Sequence, residues 1–223
     1  GTVGGVCAAK VAEAEVMVEG GINNIFIANQ VVARDKIERL CALAKRADIR
    51  VAIDDPRNLQ ELSEVAQAHR VTIGVVIEVD TSMHRAGIRQ IAQGVNLAKL
   101  ATTLPGIDFK GVMSHQTVPG RPNKETRLIE GRRFIQMCLD VKEAIEAAGI
   151  PVEVVSTGES WTYDVARDIP GVTEVEGGTY ALMSHSYDYM REFQMAAKIL
   201  GTIISTPRSG VAVAPHRSRN RRC

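Results

Sequence analysis

Seven places along this chain set polar, chemically capable side chains directly after short apolar runs. They are Lys10, Asn29-Gln30, Asp54-Asp55, Asp80 to Arg85, Ser114-His115-Gln116, Ser156-Thr157-Gly158 and Glu176-Gly177-Gly178-Thr179. Gly and hydroxyl residues such as Ser156, Thr157 and Gly158 offer backbone N–H and O–H donors, which suit a phosphate. The same residues also make an ordinary turn with a helix cap. A second Gly/hydroxyl loop, Gly177, Gly178 and Thr179, tips the reading toward an anion site. Glu176 can hold a heteroaromatic nitrogen in its protonated form, since opposite charges favour the ionised pair; it can equally make a loop salt bridge. Arg85 can donate to a phenolate or a carboxylate. His115 can stack on a ring or move a proton. His84 reads as an exposed neighbour, and His185, Tyr187 and Tyr189 take no role.

Elements that alternate in type must position these groups. Strands are expected at Val6–Ala9, Ile25–Ala28, Val51–Asp54, Ile73–Val79, Phe109–Met113, Val152–Val155 and Val172–Val175. Helices are expected at Val11–Val18, Arg34–Lys45, Pro56–Ala68, Arg89–Ala101, Lys124–Ala148 and Tyr189–Ala197. The strands are apolar on both faces, as in a parallel sheet covered by helices. Repeated βα units leave an α/β fold of two kinds, a closed (β/α)8 TIM-type barrel or an open doubly wound sheet. No GxGxxG follows the first strand, which weakens the dinucleotide-binding version. Seven units are one short of a barrel, and Lys198–Ser205 reads as an eighth strand or the start of a second domain. In a barrel the active site is built at the C-terminal ends of the strands, where the polar residues fall.

Composition narrows the function classes. The chain has 223 residues, 45% of them hydrophobic and 24% charged, as in a globular domain. No apolar run is long enough for a transmembrane helix, and the opening residues show no signal-peptide pattern. The last 17 residues, Pro207 to Cys223, carry five arginines and no acid; the rest has 22 basic against 26 acidic residues. A mildly acidic body does not suit nucleic acid. Cys7, Cys41, Cys138 and Cys223 form no CxxC and read as reduced cytoplasmic thiols rather than a zinc site. No metal ligands are assigned; His216 and Cys223 in the tail are not taken as such.

EVDTSMHRAGI (Glu78 to Ile88) resembles the Asp-Thr-Gly-Met-x-Arg-x-Gly motif of fold-type III pyridoxal phosphate (PLP) enzymes of the alanine racemase type. GVMSHQ (Gly111 to Gln116) is similar to their Gly-x-Met-Thr-His strand, and VEGGTYALM to their phosphate-binding glycine loop. The opening, VCAAKVAEAEVMVEGGI (Val6 to Ile22), most resembles the D-threonine aldolase and D-serine dehydratase branch. The resemblance covers about Val6 to Ser205. It implies a PLP-binding (β/α) barrel over residues 1–196, apparently lacking its first strand. The start of a second, β-rich domain or a last strand would follow at 197–206, and a basic, disordered tail at 207–223.

The resemblance also implies roles. Arg85 would contact the ring hydroxyl of pyridoxal 5'-phosphate, and His115 would lie against the ring as the catalytic candidate. Ser156, Thr157, Gly158, Gly177, Gly178 and Thr179 would hold the phosphate, and Glu176 would face the pyridine nitrogen. Ser82 stands where the family has Gly, and Ser114 where it has Thr. The family's Schiff-base lysine lies on a strand upstream of the segment matching Val6, and Lys10 does not match it. The expectation is therefore an incomplete chain of a cytoplasmic, homodimeric lyase acting on a small D-amino or β-hydroxy amino acid. A divalent metal (Mg, Mn or Zn) would enter only in the intact protein. A racemase and a non-catalytic PLP-binding barrel are the alternatives; a phosphosugar enzyme is argued against by the Arg85 motif.

Overall fold

The computed structural model describes residues 4–116, 123–183, 187, 189–198 and 200–214. His185, His216 and Cys223 lie outside them. The chain divides into two compact units, Gly1–Thr179 and Tyr180–Cys223.

The first unit repeats strand and helix: β1 Val6–Ala8, α1 Val11–Glu19, β2 Asn24–Gln30, α2 Arg34–Leu43, β3 Asp48–Ile53, α3 Pro56–His69, β4 Ile73–Glu78, α4 Ile91–Thr103, β5 Ile107–Ser114, α5 Lys124–Ala147, β6 Val154–Thr157 and α6 Tyr163–Arg167. The six strands form one parallel sheet in chain order. Every residue of β4 is buried, as the doubly apolar pattern requires. Caps set the helix ends. The Asp55 carboxylate accepts the Arg57 and Asn58 N–H groups and Pro56 fills the first turn of α3. Gln90 and Gln93 form a capping box, so α4 starts two residues later than the sequence suggests.

Two glycines are demanded by geometry. At Gly111, φ is 153°, and a Cβ there would lie 1.9 Å from the Val154 carbonyl oxygen on the neighbouring strand. At Gly87, φ is 101°, and a Cβ would meet the Asp80 nitrogen at 2.7 Å. The Gly87 N–H donates to Asp54 at 2.8 Å, which ties the Asp80–Arg85 loop to the end of β3.

The sheet is curled. The Cys7 thiol on edge strand β1 reaches Glu176, beyond the opposite edge, at 2.9 Å. Six flat parallel strands would hold those edges roughly 24 Å apart. The inner face carries Phe26, Ala52, Val76 and Met113, and the outer face packs the larger aliphatic core under the helices. Arg50 of β3 crosses to Glu174 with two hydrogen bonds of 2.9 and 3.1 Å, its guanidinium 5.5 Å from the centre of the Phe26 ring.

Three expectations are corrected. The seventh strand at Val172–Val175 is reduced to a single parallel bridge, Ser156 to Glu174; its residues are only half-buried or exposed, so burial does not hold it extended. No helix covers Tyr189–Ala197 among the described residues. The Ala196 and Ala197 N–H groups both donate to the Leu182 carbonyl in place of partners within a helix. Of the two readings of Lys198–Ser205, an eighth barrel strand or the start of a second domain, the first is the one corrected: no parallel strand forms among its described residues. Instead Ser205–Arg208 (β7) pairs antiparallel with Val211–Val213 (β8), because Gly210 at φ 74° folds the chain back. This hairpin crosses the expected boundary between second domain and tail.

Candidate active site

The strand ends of the first unit surround a cleft of about 350 Å³. Cys7 on β1, Asn29 on β2, Arg85 after β4, His115 after β5, Gly158 after β6 and Glu176 all line it. Parallel strands bring residues distant in sequence to one rim, as barrel architecture requires. Of the expected site residues, Arg85, His115, Gly158 and Glu176 meet here.

Ser156 and Thr157 lie beneath the cleft and are fully buried. Ser156 Oγ donates to Glu176 Oε1 at 2.5 Å. Thr157 Oγ1 bonds Ser114 Oγ at 2.7 Å and accepts from Gln116 Nε2 at 2.7 Å. Both hydroxyls are thus engaged within the protein. Gly177 and Gly178 are exposed and Thr179 is half-buried, away from the cleft wall. A Cβ at Gly178 would meet nothing within 4 Å.

Glu176 is held at both oxygens, by Ser156 on Oε1 and by the Cys7 thiol on Oε2. Burial raises its pKa, partly offset by these two donors. Cys7 is pushed up too, first by burial and then by the Glu176 charge. Opposite, Arg85 reaches Glu78 Oε1 at 3.3 Å, while Gln30 Nε2 donates to Glu78 Oε2 at 2.6 Å. Glu78 is 2% exposed, so it anchors the half-exposed guanidinium from below.

His115 Nδ1 lies 3.4 Å from Glu159 Oε1. The imidazole pKa is lowered, by burial and then by the Arg85 cation. Glu159 is buried, and its pKa is raised to about 7. Burial is the main cause; the Gln116 N–H and Trp161 favour ionisation, Glu176 opposes it and Arg85 assists it. The sequence reading missed Glu159, Glu78 and the Cys7 contact. A carboxylate inside a supposed phosphate loop, and another closing the apolar run of β4, were the available signals.

The donor set matches a ring with acid and base functions on opposite sides. A carboxyl group, a guanidinium and an imidazole all line the one cleft. Pyridoxal 5'-phosphate has that pattern: a basic ring nitrogen, a phenolate and a planar face. Among the described residues no three His, Cys, Asp or Glu side chains group as a metal site, and no helix is long and apolar enough to cross a membrane.

A family model, alanine racemase, N-terminal domain, matches residues 1–185. The chain belongs to the alanine racemase N-terminal domain family. Among members of this family, it is 31% identical over 221 residues to 3-hydroxy-D-aspartate aldolase of Paracoccus denitrificans (strain Pd 1222), covering 94% of this chain and 57% of that protein. It is 30% identical to D-threonine aldolase of Arthrobacter sp over 211 residues, covering 91% of this chain and 55% of the other. The crystal structure of D-threonine aldolase from Filomicrobium marinum superposes with a TM-score of 0.85 at 30% identity, over 96% of this chain and 59% of that one. The chain therefore spans little more than half the length of these relatives. The six-stranded unit is a partial alanine-racemase-type (β/α) barrel.

Proposed function

We propose that this chain forms the cofactor-binding barrel of a cytoplasmic, homodimeric PLP-dependent lyase that cleaves D-configured β-hydroxy amino acids. The observation that carries this is the convergence of Arg85, His115 and Glu176 on one cleft in a chain similar to two aldolases of that class. Bound PLP supplies an electron sink for the pair left at Cα when the Cα–Cβ bond breaks. The chain's residues bind and orient. Glu176, steadied by Ser156 and Cys7, would face the ring nitrogen and favour its protonated form. Arg85, braced by Glu78 and Gln30, donates to the ring oxygen. Gly158, on the cleft wall, would offer its backbone N–H to the phosphate, and the exposed Gly177–Thr179 loop that follows Glu176 would close over it with further N–H groups. His115 would lie against the ring, its pKa lowered by burial and by Arg85, which favours the neutral form able to accept a proton. A divalent ion belongs to this reading as a partner of the reaction held by groups other than those described.

The single tryptophan, Trp161, donates its ring N–H to the Gln116 carbonyl at 3.3 Å, one residue from His115. Titration with PLP should quench its fluorescence saturably. Joined to the lysine-bearing strand and the metal-holding groups that its resemblance implies, the barrel incubated with 3-hydroxy-D-aspartate, PLP and a divalent ion should release glycine and glyoxylate. Absence of saturable quenching removes the cofactor reading; quenching with substrate retained by the completed protein under all metal conditions removes the lyase reading.

A further inference from the structure

Strands β5 and β6 pair with Ser114 opposite Thr157. Two residues beyond that register, Gln116 and Glu159 meet. The Glu159 Oε1 accepts the Gln116 backbone N–H at 2.8 Å and lies 3.4 Å from His115 Nδ1. The backbone that carries this carboxylate is held on both sides. The Glu159 N–H donates to Thr162 Oγ1 at 3.1 Å, the Thr162 N–H returns to the Glu159 carbonyl at 3.0 Å, and Trp161 and Thr162 are buried around it. A carboxylate oxygen can accept twice, so the Gln116 N–H leaves room on Oε1 for a proton from the nearby Nδ1. His115 itself lines the cleft, so its side chain stands between Glu159 and that space.

We infer that Glu159 is a positioning residue for His115: it accepts the Nδ1 proton and leaves Nε2 as the unprotonated nitrogen open to the cleft. The two ring nitrogens of a neutral histidine are distinct, and the partner of one fixes the state of the other. Free imidazole side chains favour the opposite tautomer, with the proton on Nε2, so the carboxylate reverses the default. The other charged groups facing the pair are Arg85 and Glu176. Burial first and then Arg85 disfavour imidazolium, which favours His115 as a neutral acceptor. The use of that acceptor, to take a hydroxyl or ammonium proton from an amino-acid substrate, rests on the proposed function; the tautomer itself does not.

Long-range 1H–15N correlation on uniformly 15N-labelled protein at pH 8.5 reads the tautomer directly, with His115 assigned from its missing signals in His115→Gln. The expected result is Nδ1 protonated and Nε2 unprotonated. Glu159→Gln retains an acceptor oxygen and should keep that state, while Glu159→Leu should move population to Nε2–H. Wild-type protein with its proton on Nε2 overturns the inference, as does a Glu159→Leu spectrum unchanged at His115. If the Leu variant does not fold, the wild-type and Gln spectra still decide. The fluorescence titration with PLP is read separately: loss of quenching with the Nδ1–H state intact strikes the cofactor reading alone.

Discussion

Cys7 and Glu176 are 169 residues apart in sequence and 2.9 Å apart in space, thiol to carboxyl oxygen. The contact spans the curled sheet from its first strand to the loop beyond its last. It also ties a cysteine to an acid that lines the same cleft.

Cys7 should therefore resist alkylation although its residue is exposed. Burial of the thiol and the Glu176 charge both raise its pKa, and the thiolate is the nucleophile. Iodoacetamide at pH 8 followed by peptide mass mapping should leave Cys7 largely unmodified. Glu176→Gln removes the charge but not the burial, so its modification rate should rise only severalfold.

Arg85→Ala should weaken PLP binding about tenfold or more, the scale of losing a charge-assisted hydrogen bond. The same change leaves buried Glu78 without its cation. Gly178→Asp should weaken binding too, by placing a negative charge beside the loop assigned to the phosphate. Unchanged affinity in both, by Trp161 fluorescence, would remove the site assignment.

Glu159 should impose a pH dependence on stability. Its pKa stands near 7 in the folded chain against an ordinary 4.5, so the folded state binds more protons between those values. Stability is then highest near and below pH 4.5 as far as this group is concerned, and falls as pH rises toward 7. The full effect is on the order of 3 kcal/mol. Urea melts of wild type and Glu159→Gln from pH 5 to 8 should diverge in slope, the variant lacking this group's contribution.

Gly111→Ala should cost about 3 kcal/mol or more, since the Val154 carbonyl occupies the space of a Cβ and φ is positive. Thermal melting tests it. Gly149, also at positive φ but with open space around its Cβ position, should lose less on the same change.

Much of this arrangement was legible in the sequence. The β-branched runs located the six parallel strands, and their polar endings pointed to Arg85, His115, Gly158 and Glu176. What failed has physical causes. The run Val172–Val175 has strand composition, but strand propensity expresses packing against neighbours more than a backbone preference. The hydroxyls of Ser156 and Thr157 looked like phosphate donors because their types suit one. Which way a side chain points depends on pleat and register, and here both turn inward to protein partners. Glu159 was hidden for a related reason. A carboxylate's part in a site depends on what buries it, and Trp161 and Thr162 do so only once β6 is docked on β5.

The order of the sheet follows the order of the chain, β1 to β6 with no strand skipped. Each strand therefore finds its partner already synthesised when it leaves the ribosome. The barrel portion can grow vectorially, one βα unit docking on the last, with contacts of short sequence separation dominating early steps. The long-range clasp between Cys7 and Glu176 can form only at the end of that growth, so it reports completion of the cleft.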